Sequence, residues 1–266
     1  VEGYIRRAVL PALGSHRLRD VMPAEIGKMV RDYRDEVGKT SRAKTSGRSA
    51  ARALLAACKG LFAYAVANGW IDSSPAEQLT AAIVGPSDGS RERVLNDEEI
   101  RFVMQAEALA GAPLRFLLAT GLRIGEAYQG SRDGQYWVVP AESSKNGKEH
   151  RVWLSSLALA QLDHFPWVFG HQWLQTWVRE NGTGWTCHDL RRTFATRNND
   201  MGLAPHIVEK MLNHSLPRLM ATYNRATYDA ERREALEAWS AYLLGFASDP
   251  AAANVVPLRA NTPQAA

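Results

Sequence analysis

Four short segments in the second half of this 266-residue chain hold side chains suited to chemistry on an anion. The first is Ala119-Thr-Gly-Leu-Arg-Ile-Gly-Glu126, where Arg123 follows a glycine turn and should enter a short helix at its amino end. Backbone amides point outward there, so a guanidinium at that place is well set to meet negative charge. The second is Ser144-Lys145-Asn146-Gly147, in which an Asn-Gly turn puts Lys145 on the flank of a hairpin tip. The third is Cys187-His188-Asp189-Leu190-Arg191-Arg192, with His188 and Arg191 three apart and therefore on one helix face. An imidazole beside a guanidinium can hold two oxygens of one phosphate. The fourth is Leu212-Asn213-His214-Ser215, followed by Tyr223 in a polar, helix-breaking stretch that gives an aromatic ring little packing reason to be there. Tyr228 is a second tyrosine close by. No second histidine or carboxylate stands at the i, i+4 spacing of H-x-x-x-H, so metal binding is not expected.

These segments need a scaffold, and the hydrophobic pattern predicts one that is mainly α. In the first 80 residues, Ile26, Met29, Val30 and Tyr33 predict a helix over 24–37, closed by Gly38. Leu54, Leu55, Cys58, Leu61, Phe62, Ala65 and Val66 predict a longer one over 45–68, closed by Asn68-Gly69. The same long helix carries Arg48, Arg52 and Lys59 in one sector, preceded by Arg42 and Lys44, and these five are candidate polyanion contacts. Residues 84–92 are turn-rich and polar, as a linker would be. Asn96 with Glu99 predicts a capping box opening a second domain, and Pro113 predicts the start of another helix that Gly121 stops. Residues 136–139 and 150–154 are rich in β-formers around the Asn-Gly turn. A last helix over 229–244 aligns Leu236, Trp239 and Leu243, a stripe that either covers its own domain or meets a second subunit. Residues 247–266 read as a loose tail.

Composition narrows the class. Hydrophobic residues make up 45% and charged residues 23%, which fits a globular protein with a real core. Two cysteines exclude a disulfide scaffold and a four-cysteine zinc site, and fit a reducing, cytoplasmic setting. No secretory leader is expected, and no run approaches the ~20 apolar residues of a membrane span. The net charge of +4 is unevenly placed: residues 1–60 hold 13 Lys and Arg against 6 Asp and Glu, while residues 91–266 are balanced. A basic amino-terminal part fits a polyanionic partner.

Taken in order, Arg, Lys, His-x-x-Arg, His and Tyr form a set that resembles the tyrosine recombinases, the phage-type integrase family. The phrases His188-Asp-Leu-Arg-Arg-Thr-Phe-Ala-Thr196 and Leu212-Asn-His-Ser215 carry the resemblance, which is strong over about 90–245 and less specific over 1–80. It implies a helical core-binding domain over 1–84, a linker over 85–94, a mixed α/β catalytic domain with a small β-hairpin or sheet over 95–246, and a tail over 247–266. It also implies an active site of Arg123, Lys145, His188, Arg191, His214 and the nucleophile Tyr223, with Glu126 supporting the first arginine. Tyr223 would attack a DNA phosphate, His188 would take its proton, and Lys145, its pKa lowered by neighbouring arginines, would protonate the leaving 5′ oxygen. The implied partners are double-stranded DNA clamped between the domains, three further copies of the chain in a tetramer, and DNA-bending accessory proteins. No cofactor is implied. A type IB topoisomerase-like relaxing enzyme and a non-catalytic DNA-binding relic remain as alternatives. One departure is a stretch between Lys145 and His188 that is shorter than the family norm, with Val168-Phe-Gly170 running almost directly into His171.

Overall fold

The structure is a computed structural model. It describes residues 2–40, 46–86, 89, 92–106, 108–167, 169–181, 183–214, 223, 224 and 226–248. Arg42, Lys44, Ser215 and the tail from 249 onward lie outside these. The chain divides into two compact units, Val1–Arg91 and Glu92–Ala266.

Unit 1 is helical. Helices α1 (Glu2–Tyr4) and α2 (Leu10–Leu13) are joined by a π-helical turn over Ile5–Val9, and α3 (Pro23–Thr40) and α4 (Arg48–Ala67) follow. The core stripe of α4 is as the pattern predicts: Leu54, Leu55, Cys58, Phe62 and Ala65 are buried with Ile26 and Val30 of α3. Helix α3 runs two residues past Gly38, the expected stop. Gly47 explains the closeness of the two helices. Its φ is +69°, and a Cβ there would lie 2.0 Å from the Arg34 carbonyl oxygen, so only glycine fits. Helix α4 is long and apolar enough to cross a membrane by length and composition, but its apolar stripe is spent on the unit 1 core. Burial pushes the Cys58 thiol up to about 11.

The basic stripe of α4 is partly engaged within unit 1. Arg52 donates to the Gly85 carbonyl, and Lys59 Nζ donates to the Glu77 carbonyl at 3.2 Å. Arg48, Arg52 and Lys59 are all half-buried, whereas Ser49, Ala56, Gly60, Ala63 and Tyr64 form the exposed face. Arg52 and Lys59 pin the 77–85 segment onto α4.

Unit 2 opens with α5 (Asp97–Gln105), whose Asn96–Glu99 capping box forms in both directions at 2.9 and 3.0 Å. Helix α6 spans Ala108–Thr120 and contains Pro113 in its interior rather than at its start. The carbonyls of Met104 and Ala106, just before it, accept from the Arg115 guanidinium. After α7 (Ile124–Gln129) come three antiparallel strands in the order β1 (Ser131–Asp133), β2 (Tyr136–Val139) and β3 (His150–Trp153), with Val139 opposite His150. Strand β1 was not legible, because Ser-Arg-Asp is polar and exposed throughout. Helices α8 (Ser156–Leu162), α9 (His171–Glu180), α10 (Cys187–Asp200), α11 (Pro205–Met211) and α12 (Asp229–Ser248) complete the unit. Gly170 is the N-cap of α9, so His171 opens an ordinary helix start.

Helix α12 closes the core. Leu236, Trp239 and Leu243 are exposed by only 2%, 0% and 0%, so this stripe covers its own unit. Trp239 packs edge-on against Phe194 of α10, and its indole N–H donates to the Leu118 carbonyl at 2.8 Å. Trp239→Ala is expected to destabilise unit 2 by about 3–5 kcal/mol, and urea unfolding followed by far-UV circular dichroism measures the loss.

Candidate active site

The site begins at a turn that only glycine can make. Gly121 ends α6 with φ +66°, and a Cβ there would sit 2.6 Å from the ring of Phe194. That close approach brings α10 against the α6–α7 turn. Arg191, one helical turn before Phe194, then reaches the Gly121 carbonyl with Nη1 at 2.7 Å. Two residues beyond Gly121, Arg123 is the N-cap of α7 and Glu126 its third residue. The Glu126 carboxylate turns back to accept from the Arg123 backbone N–H at 2.9 Å and from its guanidinium at 2.6 Å. Oε2, which takes the backbone N–H, also lies 3.7 Å from Arg191 Nη1.

One buried carboxylate therefore stands between two guanidiniums. Glu126 is 2% exposed and Arg191 3%. Burial, and then the nearby Arg123 charge, push the Arg191 guanidinium down to about 10 while Glu126 opposes the shift; it is still cationic at neutral pH. Arg123 is half-buried, so part of its fork is open to solvent.

The second histidine arrives through a helix cap. Helix α11 ends in a Schellman motif, with Asn213 N–H bonded to the Lys210 carbonyl at 3.1 Å and His214 N–H to the Glu209 carbonyl at 2.9 Å. Asn213 has φ +51°, a conformation asparagine enters more readily than most residues. The cap turns His214 back along α11, where Nδ1 meets Glu209 Oε2 at 2.7 Å and Nε2 faces Arg191 Nη2 at 3.1 Å. The same Nη2 donates to the Leu212 carbonyl. With Nδ1–H donating to Glu209, Nε2 accepts from Arg191 and the two bonds are mutually consistent.

The remaining motif residues are placed less tightly. His188 is the second residue of α10 and is exposed. Partial burial, then the charges of Arg192 and Arg191, lower its pKa, so its ring is neutral at neutral pH and can accept a proton. The capping box of Thr186 and Asp189 fixes this end of α10, with Asp189 Oδ2 accepting from both Thr186 N–H and Oγ1–H at 2.8 Å. Lys145 is exposed at the tip of the β2–β3 connection, whose residues Ser144 and Asn146 bond Asn213 at 2.9 Å. The structure brings Arg123, Glu126, Arg191 and His214 together in one bonded cluster and anchors the loop of Lys145 beside it. Tyr223 is 82% exposed; its ring stands in solvent rather than against the arginines. Tyr228 is committed to packing: its ring meets His206 at 5.0 Å and its hydroxyl accepts from Asn224 Nδ2 at 2.8 Å.

Two residues outside the motif set belong to this neighbourhood. Glu209 orients His214, and its signal is its place one cap upstream. His150 is the other. It is 4% exposed on β3, and burial followed by the charges of Arg232, Arg191 and Arg123 pushes its pKa down to about 3, against a bond with the Met211 backbone. The alternation of β3, with His150 and Val152 inward, is its only trace in the sequence. Among the described residues no group of three His, Cys, Asp or Glu is placed to hold a metal ion.

No family model matches the chain. Prophage integrase IntA of Escherichia coli (strain K12) is 21% identical, over 89% of this chain and 62% of that protein. The chain thus spans under two thirds of the length of this relative. Among solved structures, a lambda integrase dimer bound to a COC′ core site superposes with a TM-score of 0.61 at 18% identity, covering 86% of this chain and 88% of that one. The Tn1549 transposon integrase in complex with circular intermediate DNA gives 0.51 at 16% identity, covering 88% and 91%. A lambda integrase tetramer bound to a Holliday junction gives 0.61 at 18% identity, over 82% and 71%.

The site makes two predictions. Glu126→Gln should cost about 3–5 kcal/mol in urea unfolding, since it strands two like charges, one fully buried. For His150, the unfolded chain takes up a proton as pH falls through 6.5, whereas the folded chain does so only near 3. The stability this ring contributes is whole above pH 6.5 and is lost on acidification, by up to about 1.4 kcal/mol per pH unit. His150→Gln should show a shallower fall in stability between pH 6.5 and 5 than the parent chain; equal slopes would contradict the burial of a neutral ring.

Proposed function

We propose that this chain, whose fold is that of the tyrosine recombinases, is a site-specific DNA recombinase that cuts and rejoins strands through a 3′-phosphotyrosyl link, in the integration or excision of a mobile element. The observation that carries the proposal is the pair of guanidiniums, Arg123 and Arg191, held by one buried carboxylate with His214 docked on the second. In-line attack on a phosphodiester builds negative charge on its two non-bridging oxygens, and planar donors fixed in advance suit them. When DNA enters, Arg191 Nη2 exchanges its bond to His214 for one to a phosphate oxygen.

The step balances. The Tyr223 hydroxyl attacks phosphorus, its proton passes to the neutral His188 ring, the P–O5′ bond breaks, and Lys145 gives a proton to the departing oxygen. A diester is exchanged for a diester, so rejoining needs no external energy source. The packing of Tyr228 supports Tyr223 as the nucleophile. Further parts of the proposal are a homotetramer on two duplexes, DNA-bending accessory proteins, a cytoplasmic location, and DNA contacts from unit 1. For the last, the candidates are Arg42, Lys44, Arg48, Arg52 and Lys59, of which Arg52 and Lys59 also donate to carbonyls of the 77–85 segment, and the exposed Arg7, Arg17 and Arg19 add charge. Phosphate contacts would make binding fall steeply with salt.

A pool of nicked duplexes with a randomised core tests this, because the strand beyond the nick diffuses away and traps the covalent state. The parent chain should become linked to DNA, with or without EDTA, and Tyr223→Phe should not. A phenylalanine variant that still traps DNA would refute the nucleophile, and an inert parent chain would favour a DNA-binding relic. Relaxation of supercoils by a monomer without site dependence would favour the topoisomerase-like alternative.

A further inference from the structure

One side chain joins the loop of Lys145 to the turn of His214, and the mechanism above leaves it unused. Asn213 Nδ2 donates to Ser144 Oγ at 2.9 Å and to Asn146 Oδ1 at 3.3 Å. Asn146 Nδ2 returns two bonds, to the Asn213 carbonyl at 3.0 Å and to its Oδ1 at 2.9 Å. Ser144 Oγ also bonds Asn146 Oδ1 at 2.9 Å. Ser144 and Asn146 are the two neighbours of Lys145, and Asn213 is the neighbour of His214. At φ +51° a glycine would make the same turn without strain, but it would keep only the bond to its carbonyl. Asparagine holds the cap and adds the clamp.

We infer that Asn213 is a positioning residue for Lys145: it ties the hairpin tip to the Schellman turn, so that the ammonium and the His214–Arg191 pair address the same phosphate. The inference rests on the phosphotyrosyl reading, with Lys145 as the proton donor. As the P–O5′ bond breaks, its electron pair goes to O5′ and that oxygen takes a proton from Lys145 Nζ. Asn213 should then matter only where this proton is needed. With sulfur in place of the bridging 5′ oxygen the leaving group is a thiolate, whose conjugate acid has a pKa near ~8.5, and it departs without a proton.

The test compares covalent capture by the full chain on two versions of a nicked duplex recovered from the pool above, one ordinary and one with 5′-bridging sulfur. On the ordinary duplex Asn213→Gly should slow capture about 10- to 100-fold, the scale of a misplaced reacting group, and should add little to Lys145→Ala. Asn146→Ala should behave alike. On the sulfur duplex Asn213→Gly, Asn146→Ala and Lys145→Ala should each come within about two-fold of the parent chain, a rescue that lost folding would not show. Capture by Asn213→Gly at the parent rate on the ordinary duplex overturns the inference. So does a deficit of equal size on both duplexes, which would put the residue's effect on His214 and Arg191. A parent chain inert on both sinks the phosphotyrosyl reading and the inference with it, a result distinct from an active parent with an indifferent variant.

Discussion

Two guanidiniums gathered around one carboxylate repel each other, and one of them is buried almost completely. The Glu126 carboxylate makes this tolerable. It binds Arg123 directly at 2.6 Å and lies 3.7 Å from Arg191, and its own burial keeps water from weakening either interaction. A buried charge cluster of this kind is poor value for stability, because desolvation offsets much of the attraction. In the proposed reaction its use is a pair of planar donors whose spacing is set before any ligand arrives. Much of unit 2 serves that spacing. Gly121 lets α10 come close, the α10 capping box sets where Arg191 projects, and the α11 cap delivers His214 to it.

The parts of this arrangement that were legible in the sequence are those with local causes. Asn96 and Glu99 announced their capping box by spacing alone. The α4 stripe and the Leu236–Trp239–Leu243 stripe followed from helical period. The motif residues Arg123, Glu126, Arg191 and His214, picked out in the sequence, are gathered by the fold into one cluster. What stayed hidden depends on contacts between distant segments. His150 looked like one more polar residue in a β run, because nothing local says that Arg191 and Arg232 lie around it. Helix α6 begins five residues before Pro113, a placement that the proline's preference for a first turn does not foresee. Arg48, Arg52 and Lys59 showed helical spacing but not their direction. The segment that Arg52 and Lys59 bind, 77–85, lies beyond α4 in the chain.

The two units thus use basic residues differently. In unit 1, Arg52 and Lys59 satisfy backbone carbonyls and fasten the end of the unit to its central helix. In unit 2, Arg123 and Arg191 are balanced by a single buried carboxylate, and Arg191 adds bonds to two carbonyls and to His214. Formal charge alone does not say what a cation is engaged in; its partner atoms do. The same distinction separates Tyr228, already packed and hydrogen-bonded, from Tyr223, whose phenol is exposed.

The central claim is geometric: Arg123, Arg191 and His214 surround one phosphorus atom at which the Tyr223 phenol is aimed. A crystal structure with a captured duplex and vanadate tests it most directly, since vanadate adopts the five-coordinate shape of in-line transfer. The account predicts vanadium with Tyr223 Oη at one apex and its equatorial oxygens about 2.7–3.0 Å from both guanidiniums. Vanadate seated away from the Glu126-held pair, or a Tyr223 phenol turned to another face, would contradict it.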